Sequence, residues 1–182
     1  STMATFEVDW VVWLYARNLV LVGLWFGGLH LYLHVFRKQA KGRFTEREFP
    51  RNSRRFLFGN QVWDNAFYTL ASGVTVMTAY EAVTYWLFAN GYLGLFDIAD
   101  PVVFWGWFVV MLLLAPVVHA VHFYLGHRLL HHPWLYRHVH ALHHRNVDIG
   151  PWSGMAMHPV EHIMYLSTLT VQWVLALHPI NA

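Results

Sequence analysis

Three long stretches of this chain are apolar almost throughout, and the residues that interrupt them are few enough to name. Residues 10–36 are apolar except for Arg17, Asn18, His30 and His34. At 1.5 Å of rise per residue, such a helix is long enough to cross the roughly 30 Å hydrocarbon layer of a bilayer. A second stretch, 62–89, opens with Trp63, Asp64 and Asn65 and carries Glu81 inside it. The third, 102–126, contains Pro116, which removes one backbone hydrogen bond and predicts a kink. Residues 163–178 are apolar but short for a crossing. The pattern predicts an all-α integral membrane helical bundle, one domain over 1–182, with three spanning helices and a shorter fourth.

The polar positions orient that bundle. Segment 37–61 has no periodic apolar stripe, and eight of the twelve Lys and Arg residues fall between Arg37 and Arg55. Residues 1–9 and the link 90–101 contain no basic residue. By the positive-inside rule the N-terminus is outside, and the residues after the third helix emerge on the cytoplasmic side. The 12% charged content, against about 25% in soluble domains, agrees with a membrane protein. In that setting the basic loop faces anionic lipid rather than nucleic acid. Arg17 and Glu81 then lie at similar depths, roughly 10 and 13 Å from the outer ends of their helices. A lone charge there costs about 2.5–3.5 kcal/mol, so the two are expected to pair.

Candidate chemistry begins where the third stretch ends. Eleven of the fourteen histidines lie between His119 and His162. His127 and His131 are four apart, one turn of helix, and His140, His143 and His144 form H-x-x-H-H. All five imidazoles can turn inward from two short helical segments in a cytoplasmic histidine-rich cap over 127–162. Neutral imidazole suits iron, zinc, copper and nickel alike. The chain has no cysteine to offer a thiolate. Glu161 is placed to hold the second N–H of a ligand histidine. Arg128, Arg137 and Arg145 are read as anchors at the lipid headgroups. His132, His138 and His162 are read as lying off the cage, and His30 and His34 as interfacial polar residues. No H-E-x-x-H motif, flavin or nicotinamide fingerprint is present. A histidine-ligated metal- or haem-binding membrane protein without oxygenase activity is the alternative, with haem held between two facing helices.

HRLLH at 127–131, LYRHVHALHH at 135–144 and HPVE at 158–161 resemble the membrane-bound sterol desaturase and fatty acid hydroxylase superfamily. WDNAFYTLASGVT at 63–75 and NVDIGPWSGMAMHPVEH at 146–162 are similar to its bacterial members. The resemblance runs from about Trp63 to the end of the chain. It implies two iron ions, with zinc as a possible replacement. The implied reaction is O2-dependent hydroxylation or desaturation at a C–H bond of a sterol, fatty acyl or related lipid. Electrons would come from a separate redox partner protein. The implied ligands are His127, His131, His140, His143 and His144, with His158 as a further candidate. The family's last H-x-x-H-H box is absent, so the chain is expected to be C-terminally incomplete and to hold at most one metal tightly. His119, His122, His158 and His162 are the local residues that could otherwise complete the cage.

Overall fold

A computed structural model describes residues 3–36, 48–93 and 99–174. Among these, every regular element is helical, apart from one isolated antiparallel bridge between Arg51 and Asn60. Five of the basic residues in the loop after the first helix lie outside the described residues, as do 175–178 of the fourth apolar stretch.

Helix α1, Val8–Val35, contains wide π turns at Gly23–Gly27 and Leu31–Val35. Trp10, Leu14 and Asn18 recur every fourth residue and are its buried side. Trp13, Leu21, Leu24 and Trp25 stay exposed on the others, as expected of a surface that lipid covers. Helix α2, residues 61–89, starts where the Asn60 side chain accepts the Val62 N–H at 2.9 Å. It runs through a π turn, Tyr68–Gly73, into Val74–Ala89. Helix α3, Pro101–Leu130, is capped by Asp100 and buries only Met111 and Leu130. Two helices among the described residues, α1 and α3, are long and apolar enough to cross a membrane.

The middle helix covers the stretch 62–89, and its packed side is largely polar, with Gln61, Asp64, Asn65, Thr69, Thr78 and Thr84 buried beside Val74 and Ala82. The physical reason is that α2 is clasped by other elements, where polar side chains find partners. Asn18 on α1 donates to Thr78 Oγ1 (3.1 Å) and Glu81 Oε2 (2.9 Å). Tyr85 donates to Glu81 Oε1 at 3.1 Å, and Arg17 forms an ion pair with Glu81. Arg17→Gln and Glu81→Gln are each expected to destabilise the chain. In a double-mutant cycle in detergent they should couple by about 1 kcal/mol; strictly additive losses would mean the pair contributes nothing of its own.

Helix α3 runs past residue 126, unbroken across Pro116, to Leu130. One missing N–H is tolerated because the flanking turns keep their own hydrogen bonds. His127 therefore stands in the last turn of the apolar helix itself, and His131 caps that helix. A tight turn, in which the His132 N–H donates to Leu129 O at 2.9 Å, leads to Pro133 and helix α4, residues 133–144. Helix α5, Pro159–Leu166, packs against both α2 and α3 and continues as Ser167–Thr170 and Val171–Val174.

Candidate metal centre

The last turn of α3 and the last turn of α4 face one another. His127 and His131 come from the first, His140 and His144 from the second. Their ligand nitrogens all lie within 4.8 Å of one another. His127 Nε2 is 3.1 Å from His131 Nε2, and His140 Nε2 is 2.9 Å from His144 Nε2. Two nitrogens each about 2.1 Å from one ion and at right angles would be about 3.0 Å apart, so these spacings suit neighbouring donors on a single ion.

His140 is the anchor of the group. Its ring is fully buried, and its Nδ1 is 2.8 Å from Glu161 Oε1. Nδ1–H donating to Glu161 Oε1 leaves Nε2 with a lone pair pointing at the other rings. Burial, then the neighbouring His144, His127, His131 and His143, push its pKa down to about 3. Burial also lowers His144, helped by His143 and then His131 and His127. Burial alone raises Glu161 to about 8, and its Oε2 has no hydrogen-bond partner. The ring is thus held neutral, the form that ligates a metal. A cation beside it would restore the carboxylate's charge.

The other histidines are placed differently. His143 stacks on His140 at 5.9 Å, but its Nδ1 lies 3.4 Å from the Ala156 carbonyl, outside the group of four. His158 caps α5, with Nδ1 accepting the Val160 N–H at 3.2 Å. His162 is fully buried: Nδ1 meets Ser72 Oγ at 2.9 Å and Nε2 meets Met155 O at 3.0 Å. A Cβ on Gly73 would sit 3.0 Å from that ring, so Gly73→Ala should shift it and lower the melting temperature by several degrees. His122 bonds Ser167 Oγ through Nε2 at 2.9 Å, and His119 packs on Tyr165. His30 and His34 stack on each other, and both contact Phe49. His132 and His138 are exposed.

Arg145 corrects its sequence reading. Rather than reaching for headgroups, it forms an ion pair with Asp64, which is completely buried, and lies 5.5 Å from the Phe56 and Tyr68 rings. Asp64 lies 81 positions away in sequence. Its place directly after Trp63 at the start of a helix was the only local signal.

A model of the fatty acid hydroxylase family matches residues 109–182, the part of the chain that contains the four histidines. The chain is 36% identical over 78 residues to the Delta(7)-sterol 5(6)-desaturase erg3C of Aspergillus fumigatus, covering 43% of this chain and 23% of that protein. It is 44% identical over 57 residues to human fatty acid hydroxylase domain-containing protein 2, covering 31% and 17%. A third relative is the rice very-long-chain aldehyde decarbonylase GL1-11, 37% identical over 71 residues and covering 39% and 26%. The matched part spans about a sixth to a quarter of these relatives' lengths. No solved structure matches the chain.

Proposed function

We propose that this chain carries the metal-binding part of an iron-dependent, O2-using lipid oxidoreductase that hydroxylates or desaturates a C–H bond of a sterol, fatty acyl or related lipid. The observation that carries the reading is the convergence of His127, His131, His140 and His144 inside the stretch that matches the fatty acid hydroxylase model. Bound iron would supply activation of dioxygen and removal of hydrogen from an unactivated C–H bond. His143 stands one ring away as a fifth donor, whereas His158 would have to release Val160 to ligate. Two irons need more donors than this group holds, and the exposed His131 and His144 stand on its open side. Two electrons come from a separate redox protein.

The chain's own residues do the remaining work. Glu161 fixes the His140 ring and holds the proton at its Nδ1. A cleft lined by His127, Phe123, Leu130, Met157, Met164 and Tyr165 adjoins the group. Its apolar walls would exclude water from the reacting carbon. In the bundle supporting this site α2 is a crossing between those of α1 and α3, the N-terminus is outside, and the histidines lie on the cytoplasmic side.

The test is reconstitution. Iron(II) and a reductant added to metal-free protein should restore lipid-dependent oxygen consumption, and zinc(II) should not. Full activity with zinc alone, or a haem absorption band in the purified protein, would overturn the reading. Lipid profiling of the host with and without the gene would then separate an alcohol from an alkene, and both from the aldehyde chemistry named for the rice relatives.

A further inference from the structure

We propose that Asp64 and Arg145 are positioning residues for the metal centre: a fully buried carboxylate on α2 fixes the end of α4 and so aims His144. This inference rests on the proposed metal-binding role of the four histidines.

The two ligands on α4 are supported unequally. His140 is buried and has its own partner in Glu161. His144 is exposed, and its hydrogen-bonding contact is to another member of the group, His140. The direction of its ring is therefore set mainly by the backbone on which it stands. Arg145, the next residue, is where that backbone is tied down. Its Nη2 meets Asp64 Oδ2, and its Nη1 donates to the Arg55 carbonyl at 3.1 Å. The guanidinium lies over the Phe56 and Tyr68 rings, its Cζ 5.5 Å from the centre of each. The other oxygen of Asp64 accepts the Leu57 N–H at 2.8 Å. Three residues further on, the Asp148 carbonyl accepts from the Gln61 side chain, one turn before Asp64 on α2.

Burying this much charge needs a reason. Asp64 has no exposed surface, and a buried pair is weak evidence for stability as such, since apolar residues of the same volume often serve as well. A planar guanidinium held by a carboxylate, a carbonyl and two rings does fix register and direction, which an apolar contact does not. The clamp brackets His144 with Arg145 on one side and His140–Glu161 on the other. Supports of this kind behind ligand residues typically account for 10–100-fold in metal affinity.

Cobalt(II) provides the test, because its visible absorption reports both affinity and the geometry of its donors. The detergent-solubilised chain should bind cobalt(II) tightly. Asp64→Asn, which keeps shape and removes charge, should weaken binding about tenfold or more and alter the absorption bands, while helical content stays the same. Arg145→Lys, which keeps charge and loses the planar fork, should shift both in the same direction and decides the matter if Asp64→Asn does not fold. Failure of the unaltered chain to bind cobalt(II) would sink the metal-site reading itself. Tight binding by the unaltered chain, with unchanged affinity and bands in the folded variant, would overturn the clamp alone, even if the variant melted at a lower temperature.

Discussion

Replacing His140 with alanine is expected to remove metal binding and oxygen-dependent turnover together, by more than about 100-fold, since even residues that merely support a ligand account for 10–100-fold. The ring has no exposed surface and lies 4.4 Å from His144, 4.7 Å from His127 and 4.9 Å from His131, centre to centre. Its loss takes away the donor that all the others meet and strips Glu161 of its partner. Leaving a buried group without its partner costs about 1–3 kcal/mol, so the variant should also melt lower yet still insert in membranes. His138→Ala is the control. That ring is exposed and bonds only its own helix, at Trp134 O, so metal content and turnover should not change. Metal analysis and oxygen uptake on the two variants side by side check the prediction; retained metal in His140→Ala would remove His140 from the ligand set.

The same residues explain which parts of the arrangement could be read from sequence. Spacing of three or four on a helix is local geometry, and it brings His127 to His131 and His140 to His144 whatever the rest of the chain does. It does not separate His143 from His144, since both lie within a turn of His140. Successive residues on a helix point about 100° apart, so only one of them can share the direction of the His131 ring. His144 does, and His143 turns toward Ala156, whose position depends on the turn at residues 150–157. Glu161 was readable as a partner for a ligand histidine; that the histidine is His140 depends on how α5 packs.

Long-range pairing was out of reach for a different reason. An arginine beside histidines in a membrane chain suits a headgroup anchor as well as a buried ion pair, and hydropathy does not decide between them. Asp64 decides it from 81 residues away. Helix α2 has the same character throughout. Its alternation of apolar residues with Thr69, Thr78, Glu81 and Thr84 reads as a slightly polar span, and the structure turns that polar side inward onto α1 and Trp152. The largely apolar α3 has two buried residues, while α2, with its polar packed side, supplies much of the interior of the described residues.

Glu161→Gln should act with opposite signs on the metal-free and the metal-loaded chain. In the metal-free chain burial raises the Glu161 pKa from 4.5 to about 8 and, together with the neighbouring imidazoles, lowers His140 from 6.5 to about 3. For this pair, between pH 3 and 4.5 the unfolded chain holds one extra proton, on His140, and the pair's contribution to stability rises with pH. From 4.5 to 6.5 the unfolded chain gains a proton at His140 and loses one at Glu161, and the two slopes cancel. From 6.5 to 8 only Glu161 differs: it is protonated when folded and ionised when unfolded, so stability falls with pH. At about 1.4 kcal/mol per pH unit that fall is about 2 kcal/mol. Glutamine has no proton to lose, so the fall should vanish in the variant. With a metal bound, the cation favours the carboxylate, and the charge that was a burden becomes support for His140. The variant should then bind cobalt(II) about 10–100-fold more weakly. Denaturation midpoints of the metal-free proteins at pH 6.5 and 8, with cobalt(II) titrations at pH 7, measure both halves. An equal loss of stability in Glu161→Gln over that pH range would place the titrating group elsewhere.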